Sequence, residues 1–132
     1  MPIVLDTHAW IWWVTEDDRL SLSAHEAIEA GASEGRLWLS SISIWEVGKK
    51  MQEGQLVFDR ALDDWLDLAL DRAGLRTAEL SRSVLVESCR LPAGLAGDPA
   101  DQIIVATARA YGALLVTRDA KLRGYPHVRT LW

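Results

Sequence analysis

Five acidic residues stand where side chains of this type can do chemistry: Asp6, Glu46, Asp98, Asp101 and Asp119. Each also has an ordinary structural explanation. Asp6 ends the short apolar run Pro2–Leu5 and suits a helix N-cap. Glu46 follows Ser43 at capping-box spacing and has Lys50 one helical turn on, the favoured orientation for a helical ion pair. Asp98 precedes Pro99, an N-cap followed by proline at the first helical position. Asp119 can cap a short turn over Ala120–Leu122. Asp101 fits such a role less well. It gains from the macrodipole of a helix start, yet Ile104, Val105 and Ala108 continue from it as an apolar stripe. A carboxylate on that stripe is partly desolvated, and burying an unpaired charge is costly.

The combination says more than any single acid. Three or four carboxylates in one pocket repel one another unless protonated or metal-bound. Oxygen-only ligands select hard cations, Mg²⁺ or Mn²⁺, rather than zinc. Such ions activate water and stabilise the charge that develops in phosphodiester cleavage. His8, His25 and His127 lie in unrelated contexts without metal-ligand spacing, and no chemistry is assigned to them.

The acids need elements to bring them together. Pro2–Leu5 and Ala113–Thr117 have the apolar character of buried strands, with Leu37–Leu39, Leu75–Thr77 and Val128–Thr130 as further candidates. Helices are expected over Trp10–Val14, from a Ser23/Glu26 capping box to Gly31, over Ser40–Met51, Asp59–Ala73 and Ser81–Arg90, and from Asp98 to Tyr111. Strands alternating with helices imply a parallel, doubly wound α/β sheet. Ligands in such sheets sit beyond the carboxyl ends of the strands, where Asp6 and Asp119 fall.

A chain of 132 residues suits one domain, spanning 1–132, and its 49% apolar content supports a real core rather than disorder. The single cysteine, Cys89, cannot form an internal disulfide. No opening signal-like run or membrane-length apolar stretch is present, so a cytoplasmic protein is expected. The net charge of −5 argues by itself against a nucleic-acid partner, unless clustered carboxylates hold a cation that reverses the local sign. Trp10, Trp12, Trp13 and Trp45 cluster in the early helices. Not all are expected to fit one small core, which leaves some for a partner helix or a second subunit.

Val4-Leu5-Asp6-Thr7-His8-Ala9-Trp10, Ser40-Ser41-Ile42-Ser43-Ile44-Trp45-Glu46, Asp98-Pro99-Ala100-Asp101-Gln102-Ile103-Ile104-Val105-Ala106-Thr107-Ala108 and Leu115-Val116-Thr117-Arg118-Asp119 resemble the four signature segments of VapC-type PIN-domain toxins. They occur in the family's order and span nearly the whole chain. The resemblance implies a three-layer α/β/α sandwich with a small central, mainly parallel sheet. It also implies an Mg²⁺-dependent endoribonuclease, with Mn²⁺ as a substitute, that cuts RNA, forms a homodimer and is inhibited by a cognate antitoxin. By family position Asp6, Glu46 and Asp101 are the core acids. Asp119 takes a fourth position that is Asp in some members and Asn in others, and Asp98 is an additional acid that binds metal, caps its helix, or both. Thr7, Lys49 and Arg118 are candidate substrate contacts, with Lys50, Lys121 and Arg123 as further sources of positive charge. Two positions depart from the pattern: His8 stands where many relatives have Asn, and Gly97 where a basic residue often precedes Asp-Pro.

Other readings use the same acids differently. A PIN-fold nuclease acting on structured DNA needs the same carboxylates, and a non-catalytic PIN-like binding module would have lost some of them. A haloacid-dehalogenase-like phosphatase requires a second acid two residues after the nucleophilic Asp, where this chain has His8. A receiver-type signalling domain requires paired acids after its first strand, and Asp6-Thr7 does not supply them.

Overall fold

The computed structural model describes residues 1–132. Five short segments pair side by side: β1 (Ile3–Leu5), β2 (Leu37–Ser40), β3 (Leu75–Ala78), β4 (Leu114–Val116) and β5 (Arg129–Leu131). Every pairing is parallel, and the order across the sheet is β3-β2-β1-β4-β5. The central strands are apolar on both faces because both faces are covered. Ile3, Leu5, Leu37 and Leu39 enter one core, while Val4 and Leu115 enter the other.

Seven helices supply the covering layers: α1 (Thr7–Val14), α2 (Leu22–Ser33), α3 (Ile42–Gln52), α4 (Leu62–Leu70), α5 (Arg82–Ser88), α6 (Pro99–Ala110) and α7 (Ala120–Arg123). Buried residues of α1 to α4 close the first core, and those of α5 to α7 close the second. This is the three-layer α/β/α sandwich expected from the sequence. No helix is long and apolar enough to cross a membrane. The chain winds outward through β1, β2 and β3 and then returns to lay β4 on the free side of β1. That reversal opens a crevice beyond the carboxyl ends of β1 and β4, the standard ligand position in an open α/β sheet.

Several local expectations are corrected. α2 is capped by Ser21, whose hydroxyl accepts from the Ala24 amide, and no Ser23/Glu26 box forms. Starting there lets Ala24, Ile28 and Gly31 all face the core. Gly31 therefore lies inside the helix, against Ile3, and does not end it. α4 begins only after Ala61, and Asp59 and Arg60 pair with each other ahead of it. α1 starts three residues earlier than expected, at Thr7, directly on the Asp6 cap.

The tryptophans divide unequally. Trp10 is fully buried, donates from Nε1 to the Ala69 carbonyl at 3.2 Å and meets Trp65 edge-on at 5.1 Å. Trp12 and Trp13 are buried as well, so the core holds more indole than the sequence suggested. Trp45 alone of the four is open to solvent, at 56% exposure. Trp10→Ala is expected to cost about 3–5 kcal/mol, through lost burial and the cavity left behind. Trp45→Ala should change stability by no more than about 0.5 kcal/mol. Urea unfolding of both variants, monitored by far-UV circular dichroism, measures the difference.

Candidate active site

Asp6 follows β1 directly and performs two structural tasks at once. Its Oδ1 accepts from the Ala9 amide at 2.8 Å, capping α1, and its Oδ2 accepts from the Thr117 hydroxyl at the end of β4. The carboxylate thus bridges the two strand ends that frame the crevice. Glu46 reaches the same place from the middle of α3. The expected Ser43/Glu46 capping box does not form: the Ser43 hydroxyl meets Thr7 Oγ1 at 2.8 Å, and the Thr7 hydroxyl donates to Glu46 Oε1. Thr7 therefore ties the two acid-bearing helices together, and all three side chains are buried.

The remaining acids come from helix starts. Asp98 caps α6 by accepting from the Ala100 amide at 2.8 Å, and Asp101 lies in the first turn of that helix. Asp119 caps α7 by accepting from the Lys121 and Leu122 amides, while its own amide donates to Thr117 Oγ1 at 3.1 Å. Capping and clustering are therefore both true of Asp6, Asp98 and Asp119.

All five acids line one cleft of about 440 Å³, together with Thr7, Trp12 and four basic side chains: His8, Arg19, Lys50 and Arg118. The depth order is informative. Asp6 and Glu46 are each only 7% exposed, whereas His8, Arg19 and Arg118 are exposed. The floor of the cleft is acidic, and its solvent-facing rim is mixed, with Asp98 and Asp119 exposed beside those basic groups. Lys49 is not among the lining residues; its ammonium donates to Gln52 Oε1 at 3.1 Å, and Lys50 is the α3 lysine that enters the cleft. Sequence reasoning did not single out Thr117 or Arg19. Thr117 carried a weak signal as the last residue of an apolar strand run, and Arg19 carried none.

The electrostatics show what this arrangement costs. Burial pushes the Asp6 carboxyl above the usual aspartate range, opposed by the bonds from Thr117 and Ala9. Burial likewise raises Glu46, opposed by Thr7 and reinforced by the charges of Asp98 and Asp6. Asp101 is raised to about 6, first by burial and then by Asp98 and Glu46. Three acids thus resist ionisation, and two of them do so partly because the others are near.

No three side chains are gathered closely enough to enclose an ion as they stand. Asp6, Glu46, Asp98 and Asp119 each turn an oxygen to a hydroxyl or an amide. The donor chemistry nevertheless fits Mg²⁺, which takes oxygen ligands, keeps several waters and needs only one or two carboxylates directly. A nearby divalent charge would also relieve the resistance to ionisation at Asp6, Glu46 and Asp101.

Asp101 makes that strain measurable. An aspartate raised from 3.8 to about 6 holds its proton longer in the folded state than in the unfolded state. The stability this confers is complete below about pH 4 and is lost as pH rises through about 6. Discounted for solvent screening in an open cleft, the loss at about pH 7 amounts to roughly 1 kcal/mol. Asp101→Asn, free of metal, should therefore be more stable than wild type by that amount at about pH 7 and equal to it at about pH 4. Urea titrations in EDTA test this, and a variant no more stable near neutrality would refute the strain.

Comparison with known proteins agrees with the geometry. The PIN domain model matches residues 3–128. Ribonuclease VapC22 of Mycobacterium tuberculosis is 34% identical over 132 residues, covering 98% of each chain. Among solved structures, a VapBC2 chain of Rickettsia felis, from a complex bound to a DNA fragment of their promoter, superposes with a TM-score of 0.68 at 22% identity. It covers 99% of this chain and 98% of that one. A chain of DNA-bound VapBC from Salmonella typhimurium gives a TM-score of 0.71 at 19% identity, covering 99% and 97%. At those identities the structures speak for the fold alone. The family model, the M. tuberculosis relative and the carboxylate-lined edge of a parallel five-stranded sheet together show that this chain belongs to the PIN domain family, among its VapC-type members.

Proposed function

We propose that this protein is an Mg²⁺-dependent endoribonuclease, the toxin of a toxin–antitoxin pair. The observation that carries the reading is the single cleft lined by five carboxylates together with four basic side chains. Asp6, Glu46 and Asp101 would hold the ion, with Asp119 and Asp98 at its margin. Bound there, Mg²⁺, or Mn²⁺ in its place, supplies water activation and charge neutralisation for phosphodiester hydrolysis. The chain's own residues do the rest. Thr117 and the Ala9 amide fix the direction of Asp6, and Thr7 fixes that of Glu46. Burial and the neighbouring Asp98 and Glu46 hold the Asp101 carboxyl up at about 6 without metal, so a cation beside it would favour its ionised form near neutrality. Arg118 and Lys50 would engage the phosphates that flank the scissile bond, in an orientation that directs the backbone toward the acidic floor. Lys49 contributes only general positive potential from α3.

The relative named as a ribonuclease supports the ribonuclease activity, and the resemblance to VapC-type toxins implies the antitoxin partner. A homodimer and a cytoplasmic setting complete the proposal. Purified protein with Mg²⁺ should cut total RNA into discrete fragments. Asp101→Asn and Glu46→Gln should each lower the rate at least about a hundredfold, and EDTA should abolish it. Cleavage that survives both variants would refute the site. Cleavage of structured DNA instead of RNA would favour a DNA-directed nuclease, and no cleavage without metal binding a non-catalytic module. Arg118→Ala should raise KM about three- to tenfold with kcat nearly unchanged, and should flatten the salt dependence of KM. Steady-state kinetics at several salt concentrations give both values.

A further inference from the structure

Each of the five clustered acids is near basic side chains, but only Asp101 makes an ion pair, and its partner is Lys121. Lys121 is the second residue of α7, the short helix that Asp119 caps. Its ammonium donates to the Ala96 carbonyl at 2.9 Å and lies 3.7 Å from Asp101 Oδ2. The ammonium thus spans from the helix of one acid to the loop and first turn that carry two others. In this position it uses the space left by residue 97, where a Cβ would come within 2.3 Å of Nζ. The backbone there, at φ +113, independently favours glycine. A glycine that leaves a slot and a lysine that fills it place one positive charge at the edge of the acid cluster.

We propose that Lys121 is the built-in counter-ion of this cluster, supplying positive charge to Asp101 in the metal-free protein and weakening the hold on a divalent cation. The inference rests on reading the acids as a divalent-cation site. Its physical basis is additive Coulomb interaction: a charge that offsets the repulsion among Asp101, Asp98 and Glu46 also opposes any second cation brought to them. The side chain is 42% exposed, so the ammonium can leave Asp101 for solvent when an ion arrives. Lys121 acts through the carboxylates and is a positioning residue in this scheme.

The test is calorimetric titration of Mg²⁺ into wild type, Lys121→Met and Lys121→Arg, with thermal melting of each in EDTA and in saturating Mg²⁺. Methionine keeps the aliphatic stem and removes the charge. Lys121→Met should bind Mg²⁺ about three- to tenfold more tightly, for a lost unit charge in a largely hydrated cleft. It should also melt earlier than wild type in EDTA, with the gap narrowing in saturating Mg²⁺. Lys121→Arg keeps the charge and should retain the wild-type affinity within about twofold. Unchanged or weaker binding by Lys121→Met would overturn the counter-ion role while leaving the metal site standing. A wild type that binds no Mg²⁺ would overturn both readings.

Discussion

The rest of this structure is arranged around the repulsion among carboxylates that the fold forces together. Asp6 and Glu46 are almost fully buried, and Asp101 is held close enough to Asp98 and Glu46 for each to oppose its ionisation. Charges in that position are tolerated when hydrogen bonds or a counter-charge offset their desolvation. The protein supplies both. Thr7, Thr117 and the amides at three helix starts donate to the acids, and Lys121 adds one ammonium. The acids are held in direction by these bonds and remain under electrostatic tension.

That tension is affordable because the rest of the molecule is conventionally packed. Two apolar layers sandwich a sheet whose central strands are hydrophobic on both faces. Trp10, Trp12, Trp13 and Trp65 fill the side that carries α1 to α4 and anchor the helices that bear Asp6 and Glu46. The second layer fixes α6 and α7, the source of the other three acids. Each acid lies at the end of an element or one turn from a packed face, so positioning relies on the core rather than on mobile loops.

Charge is unevenly spread across the cleft. A net charge of −5 is unfavourable for binding a polyanion. Within the cleft Asp6 and Glu46 are buried, whereas His8, Arg19 and Arg118 stand toward solvent beside the exposed Asp98 and Asp119. The local field, not the total charge, decides what such a cleft attracts.

Short-range information in the sequence determined a great deal. Apolar runs located the strands, and Asp98-Pro99 marked the start of α6. The four motif segments carry the five acids and the family resemblance. These signals are local or stereotyped: a cap bonds residues two or three positions away, and a buried strand has no polar face to hide. What depended on distant residues was not legible. Glu46 had a local partner at Ser43, yet its bond goes to Thr7, far back in the chain. Adjacent lysines at 49 and 50 look alike in sequence, but the rotation of α3 on its core sends only one into the cleft. Thr117 matters because β4 returns beside β1, and Lys121 because Gly97 on another segment leaves room for its ammonium. Short-range chemistry along the chain settles which groups are present and which local structures hold them. Which of those groups face one another is settled by the packing of separate elements on a shared core, and no local signal encodes that.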